Sequence, residues 1–428
     1  VSTSENLDEV DFFIDNELLS DPYDYLAAVR SECPVRREAH HDVVMITGYE
    51  EALEIYNDPE RFSSCISVAG PFPGFPVPLE GEDISDLIEK HRPDLIMNDQ
   101  LPTMDPPTHT AHRALLLRMI TPKRLKENEE FMWRLADRQF DEVLVDGRCE
   151  FNGGFATPFA MLVIADLLGV PESSHEEFRD ALLSGPTIGS STGDAMEHSP
   201  LGYLYGKFTE YIEDRRSTPR GDVLTGVASA TFPDGSTPEV SDAVAVAANL
   251  FAAGQETTVR LLSSAVKMIA EDAELQARLR ADRSLLPAFI EEALRYESPV
   301  RGDFRLSKVP VNVGGVDLPA GTTLMLINAA LNRDPRKFPD PDVFDVDRVN
   351  VRTHVAFGRG IHSCPGAPLA RAEAVVSLER LLDRTGDIWI DEEHHGPPGS
   401  RRYSYLPTFV LRGLTRLHIG FSPAGGGS

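Results

Sequence analysis

The strongest constraint in the chain is a glycine-lined cysteine: His354–Ala367 reads HVAFGRGIHSCPGA, with Gly358, Gly360 and Gly366 around Cys364. Glycines let a backbone take left-handed turns and approach a flat ligand closely. Phe357 is an apolar aromatic that can shield the sulfur. Pro368 and Leu369 open a helical run through Leu382. Cys364 therefore stands just before a helix N-terminus, where free amides and the helix dipole stabilise a thiolate. An anionic axial ligand needs that setting. The plainer alternative is an ordinary buried cysteine in a glycine-rich loop. A dinucleotide loop fits less well, because GxGxxG would need glycine at Ser363 and a preceding strand. Zinc fits less well again, since no second thiol lies nearby.

Helical periodicity dominates the rest. Apolar spacing predicts helices over Phe131–Leu144, Phe155–Leu168, Gly202–Arg216, Ser241–Ala270 and Leu286–Tyr296. Strands are expected at Val43–Thr47, Val309–Val316, Thr323–Ile327 and Thr408–Ile419, with turn signals in Asn312–Gly321. Three stretches read as irregular: Ser63–Pro107 with a short helix at Asp83–His91, Ser184–Pro200, and Asp334–Asn350. The Ser241–Ala270 helix, with Ser241 as its expected N-cap, would span about 45 Å. It contains AGQETT, Ala253–Thr258. Gly254 in mid-helix costs about 1 kcal/mol against alanine, so something should compensate. Thr257 shares its face and can bond back to a carbonyl one turn earlier, and Glu256 adds a titratable group beside that hydroxyl. A buried helix with an incidental threonine is the other reading. Glu292 and Arg295, three apart, read alone as a common local ion pair.

In this order the segments resemble the cytochrome P450 superfamily. His354–Gly366 fits the bacterial haem-thiolate pattern HxxFGxGxHxCxG at every fixed position, AGQETT resembles AGxET, and Glu292–Arg295 resembles ExxR. The resemblance runs from about Asp21 to Phe421. It implies a mainly α fold, a triangular helical prism with a small β-rich region. One haem domain is expected over residues 1–423, with 424–428 (AGGGS from Ala424) set aside as a linker remnant. It implies haem b with Cys364 as the iron ligand, whose thiolate favours O–O cleavage, and O2 as co-substrate. Glu256 and Thr257 then become the acid–alcohol pair that relays protons during oxygen activation. Ala253, Gly254, Phe357, Gly358 and Gly366 are expected beside the haem, with Ala253 and Gly254 leaving space above the iron. His109, Arg113, Arg305, His354 and His362 match positions that contact propionates. Glu292, Arg295 and Arg348 match a structural Glu–Arg–Arg network that positions the cysteine loop. Phe72, Phe75, Leu250, Val300, Arg301, Asp303 and Phe409 match substrate-contact positions. Arg301 and Asp303 are expected to pair with each other; the alternative is that Arg301 binds a substrate carboxylate or carbonyl.

The net charge of −27 argues against nucleic acid as a partner. No run of about 20 apolar residues is present, so no membrane span is expected. The acidic N-terminus has no leader pattern, and the scattered Cys33, Cys65 and Cys149 read as buried free thiols, so a cytoplasmic monomer is expected. Within an acidic chain, His109–Lys126 and Val351–Arg371 hold Arg113, Arg118, Lys123, Arg124, Lys126, Arg352, Arg359 and Arg371 and no acid. In the family both map to the proximal face, which suggests docking of an acidic ferredoxin served by an NAD(P)H-dependent reductase. The implied reaction is hydroxylation or epoxidation of an apolar molecule: a terpenoid, steroid, fatty acyl chain or secondary metabolite. The rival readings are a haem-thiolate peroxygenase driven by H2O2 and a haem-binding sensor without turnover.

Overall fold

The computed structural model describes residues 7–178 and 199–424. Eight helices build and flank the site: α1 (Asn16–Ser20), α2 (Thr108–Met119), α3 (Pro122–Val143), α4 (Thr157–Leu168), α5 (Ser199–Ser217), α6 (Val240–Glu271), α7 (Leu286–Tyr296) and α8 (Ala367–Arg384). α6 is apolar almost all round, and such a helix must be enclosed. It is: α4, α5 and α8 pack against it, and Phe251 and Leu262 meet a core that includes Phe159, Phe208 and Leu378.

Local chemistry sets the helix ends. Thr121 caps α3 by accepting from the Arg124 N–H, and Pro122 takes the first turn, so this helix begins nine residues before its apolar periodicity does. Asn152–Ala156 forms a single π turn ahead of α4. Gly169, at φ +77°, closes α4 and donates to the Ala165 and Asp166 carbonyls. α6 corrects the expected cap. Glu239, not Ser241, is the N-cap, because Glu239 and Asp242 form a reciprocal capping box.

Among the described residues ten short strands make three sheets. β1 (Val35–Arg37), β2 (Val43–Ile46), β8 (Thr323–Leu326), β5 (Asp303–Ser307) and β3 (Phe62–Ser63) line up in that order, with only β2–β8 parallel. β4 (Arg148–Glu150), β10 (His418–Pro423) and β9 (Thr385–Ile390) form the second, and β6 (Val311–Val313) with β7 (Val316–Leu318) the third. The expected single strand Val309–Val316 is instead a hairpin. Gly314 and Gly315 both have positive φ, as a two-residue turn matching strand twist requires. The expected strand Thr408–Ile419 is also corrected: only its last residues enter β10, with isolated bridges at Leu411 and Leu414. The carbonyl of Leu414 is taken by side chains rather than by a neighbouring strand.

A second core holds the N-terminal segment. Phe12, Phe13, Leu18 and Leu19 pack with Phe304 of β5, Met325 of β8 and Phe409. The Asp83–His91 expectation becomes a helix at Ser85–His91. Of Ser184–Pro200, only Ser199 and Pro200 lie within the described residues, as the start of α5. The cysteines are free; Cys65 is buried, while Cys33 and Cys149 are only half-buried. Among the described residues no helix is long and apolar enough to cross a membrane.

Candidate functional site

The cysteine loop is shaped by its glycines. Gly358 and Gly360 have φ +65° and +67°, a region costly for other residues. A Cβ on Gly360 would also lie 2.1 Å from the Tyr56 carbonyl, so only glycine lets the loop sit there. The Cys364 N–H donates to the Phe357 carbonyl at 2.8 Å and turns the chain back toward α8. Pro365 has no N–H to offer the sulfur; the Gly366 and Ala367 amides, at the start of α8, supply that role.

Burial pushes the Cys364 thiol up, while the Gly366 amide, the Arg113 guanidinium, the Ala367 amide and Arg371 pull it down. By accessible area the same residue is exposed. α6 carries the matching feature. Ala243–Phe251 and Thr258–Val266 are buried, but Ala252–Thr257 are not, and Ala253 is exposed. A Thr258–Glu373 hydrogen bond of 3.0 Å joins α6 to α8. Between its two ends, α6 is thus accessible over Ala252–Thr257, most of the AGQETT segment.

Around the loop lies a set of cations and unpartnered nitrogens. The His109 and His362 rings are 4.1 Å apart, and the Nε2 of each is buried without a partner. Burial and then Arg113 lower His109 to about 4; burial, Arg305, His109 and Arg113 lower His362 to about 2. Arg113 donates to the Ser363 carbonyl at 2.6 Å. Arg305 on β5 donates to Asp303 and to the Phe304 carbonyl. Two imidazoles held neutral by burial and nearby guanidiniums, together with Arg113, make a place for carboxylates. Among the described residues no group of three or more His, Cys, Asp or Glu side chains is placed to hold a metal ion. The unpartnered Nε2 atoms of His109 and His362 beside the cysteine loop fit the acidic edge of a flat ligand.

His354 departs from its expected role. Its Nδ1 accepts from the Ala356 N–H at 3.1 Å and its Nε2 lies 3.1 Å from Glu291 Oε2, so no ring nitrogen is left for a propionate. Glu291 also takes Arg371 of α8, whose Nη2 donates at 2.9 Å. Burial alone would raise the Glu291 carboxyl, but Arg371 and His354 outweigh it and hold it at about 2. Arg371 in turn lies 4.7 Å over the Phe357 ring. One carboxylate on α7 therefore grips the cysteine loop on both flanks.

The Glu–Arg–Arg network is present beside it. Arg295 makes a two-pronged contact with Glu292 at 2.7 Å, and Arg348 Nε reaches the same carboxylate at 3.1 Å; the Glu292 and Arg295 side chains are fully buried. Its grip falls on the irregular segment rather than directly on the cysteine loop. Arg295 donates to the Asn332, Pro341 and Val343 carbonyls, and Arg348 to those of Pro339, Asp340 and Val343.

On α6, Thr257 donates to the Ala253 carbonyl at 2.9 Å, as its spacing suggests. Glu256 faces away, paired with Arg260 at 2.7 Å. Gly254 also has a packing role. A Cβ there would lie 2.6 Å from Ile164 Cδ1, so the missing side chain serves the crossing of α6 over α4.

The substrate-contact candidates separate. Arg301 does not pair with Asp303, nor is it free for a ligand. It is 1% exposed and caps α1 through the Leu18 and Leu19 carbonyls, and burial lowers it to about 9. Asp303 is taken by Arg305 and by the Tyr56 hydroxyl at 2.6 Å. Phe72 and Phe409 come together, 5.4 Å between rings, in an aromatic group with Phe13, Phe304 and His41. Phe75 stands apart, against His91. Leu250 is buried in the main core, and Val300 bridges to Leu411.

Three buried groups escape a reading of motifs: Arg260, Glu291 and Glu373. Arg260 had a signal, four residues after Glu256. Glu291 and Glu373 are single acids whose partners lie far away in sequence.

A family model described as Cytochrome P450 matches residues 203–385. The solved structure of Mycobacterium marinum cytochrome P450 CYP150A6 in the substrate-free form is 53% identical, with a TM-score of 0.93 and coverage of 98% of this chain and 100% of that one. Cytochrome P450 144 of Mycobacterium tuberculosis is 32% identical over 419 residues, 95% of this chain and 90% of its own length. CYP109E1 from Bacillus megaterium, solved in complex with corticosterone, is 29% identical, with a TM-score of 0.78 and coverage of 94% and 99%.

Proposed function

The chain belongs to the cytochrome P450 family, and on that premise we propose that it binds haem b through Cys364 and uses O2, with two electrons from a ferredoxin, to hydroxylate or epoxidise an apolar small molecule. Its fold, mainly α with a small β-rich region, is that of the family, and the chain is a P450 monooxygenase. The observation that carries the proposal is Cys364 ahead of α8 with the unpartnered Nε2 atoms of His109 and His362 and the Arg113 guanidinium gathered at its loop, a set that suits a thiolate-held ligand with an acidic edge.

When bound, the haem supplies a redox-active iron at which dioxygen is activated. Cys364 would hold that iron through its thiolate, with the Gly366 and Ala367 amides and Arg113 steadying the charge on sulfur. Gly358 and Gly366 would let the backbone lie close to the haem, and Phe357 would shield the sulfur. His109 and His362 offer Nε2 to the propionates, and Arg113 and Arg305 offer charge. Ala253 leaves room for the substrate. Glu256 and Thr257 hold and pass protons, the hydroxyl at the Ala253 carbonyl and the carboxylate at Arg260.

Of the expected substrate contacts, Phe72 and Phe409 meet in one aromatic group and give that side an apolar character. Arg301, capping α1, brings no charge to it. A terpenoid, a steroid, a fatty acyl chain or an apolar secondary metabolite suits such a lining, and corticosterone in the Bacillus megaterium relative is a molecule of that kind. For the electron donor, Arg118, Lys126 and Arg352 are exposed and make no ion pair among the described residues. Lys123 and Arg124 contribute less than their segment suggests, because Glu127 pairs with both.

A screen of terpenoids and sterols for a high-spin shift, followed by turnover of the hits with NAD(P)H, ferredoxin reductase, ferredoxin and O2, tests the proposal. Oxygenated product that requires all four is expected. Product formed only with added H2O2 would contradict it.

A further inference from the structure

We propose that Arg260 is a positioning residue for the proton relay, holding the Glu256 side chain in one fixed place on α6. The proposal rests on the reading of Glu256 and Thr257 as that relay. Glu256 and Arg260 are four apart on one helix, and such pairs are ordinarily weak. This one differs in its surroundings. The Arg260 side chain is only 10% exposed and that of Glu256 26%. Arg260 Nη2 donates to Glu256 Oε1 at 2.7 Å, while its Nη1 donates to the Leu414 carbonyl at 3.0 Å. The guanidinium is thus spent at two points, and its planar fork cannot swing without losing one.

The far end is itself anchored. The Leu414 carbonyl also accepts from Asn152 Nδ2 at 2.9 Å, and Asn152 Oδ1 accepts from the Ser263 hydroxyl, back on α6. The stem has a channel made for it. A Cβ on Gly413 would lie 2.1 Å from Arg260 Cδ, 2.7 Å from Cγ and 2.8 Å from Cβ. Gly413 has an ordinary backbone conformation, so its lack of a side chain serves Arg260 rather than a turn. Glycine, carbonyl, amide and hydroxyl from three segments together select one rotamer of one arginine.

The consequence concerns geometry. Thr257 donates to the Ala253 carbonyl and Glu256 is held by Arg260, so acid and alcohol are not bonded to one another. The carboxylate must leave Arg260 to meet the hydroxyl or a water beside it. Arg260 fixes where that swing begins, and its charge returns the carboxylate afterwards.

The test is a double-mutant cycle on the haem-loaded enzyme with a turned-over substrate. Glu256→Gln, Arg260→Gln and the double variant are compared, with Gly413→Ala as a second route that displaces Arg260 without removing its charge. Arg260→Gln and Gly413→Ala should each lower the rate of product formation about tenfold, equal to about 1.4 kcal/mol. Neither should change the reduced carbon monoxide spectrum. Arg260→Gln should add no further loss in the Glu256→Gln background. Without turnover, the infrared carboxylate band that Glu256→Gln deletes from the ferric enzyme should move in Arg260→Gln and Gly413→Ala. Full additivity of the two losses, or an unmoved band, would overturn the proposal. Normal turnover by Glu256→Gln would overturn the relay reading itself, and is told apart because it involves no change at Arg260.

Discussion

Two buried carboxyl groups, Glu291 on α7 and Glu373 on α8, are driven in opposite directions. Glu291 is kept at about 2: burial opposes this, but Arg371 and His354 prevail. Glu373 on α8 is raised to about 8 by burial, offset only in part by the Thr258 hydroxyl, and its Oε1 has no partner. An unfolded glutamate titrates near 4.3, about where neither state is biased. Between that value and about 8 the folded protein keeps a proton on Glu373 that the unfolded chain has lost, so folding stability falls as pH rises through this window. Glu373→Gln removes the titration and keeps the shape. Denaturation midpoints at pH 5 and pH 8 should fall less in Glu373→Gln than in the parent; equal falls would show that Glu373 is ionised in the fold. For Glu291 the sign is reversed, and its contribution is present across all working pH. Glu291→Gln should cost about 2 kcal/mol, a figure kept low because Arg371 remains partly solvated. It should also raise the fraction of reduced carbon monoxide complex that lacks thiolate character. An unchanged unfolding midpoint and spectrum would show that the clamp does not support the loop.

Elements divide by how their backbone groups are satisfied. The helices α6 and α7 were legible because periodic apolar residues pack along their own length, and α7 matches its expected bounds, Leu286–Tyr296, at both ends. Asp334–Asn350 was legible only as irregular. Its carbonyls are taken by Arg295 and Arg348 rather than by a ladder, and no periodicity records that. Thr408–Ile419 was misread as a strand for the same reason: its apolar content is real, but Arg260 and Asn152 take the Leu414 carbonyl. The cysteine loop, the AGQETT segment and the Glu292–Arg295 pair are short patterns, so they survive in a single sequence. The Glu291–His354–Arg371 clamp joins residues 63 and 80 positions apart, and His354 therefore read as a propionate contact. The segment account predicts that Arg348→Ala speeds limited proteolysis within residues 339–345 while α6 stays protected. Cleavage at the parent rate would mean that the segment holds itself.

At the scale of the whole molecule, charge is the informative quantity. The chain carries −27, yet Arg118, Lys126 and Arg352 stand exposed and unpaired among the described residues. An acidic ferredoxin should be attracted there and its reduction of the enzyme slowed by salt, since exposed charges are screened over about 10 Å at 0.1 M. Arg118→Glu and Lys126→Glu should each weaken that salt dependence and slow first-electron transfer, measured by stopped-flow; Lys123→Glu should do less, because Glu127 already pairs with Lys123. A rate indifferent to salt and to all three changes would place the donor elsewhere. The account as a whole depends on one bond, between Cys364 and the haem iron. It is tested most directly by the spectrum of the reduced, carbon monoxide-bound protein beside that of Cys364→Ser. The account predicts the strongly red-shifted Soret band of thiolate ligation in the first and its loss in the second. A band without that shift in the parent, or the same band in both, would contradict it.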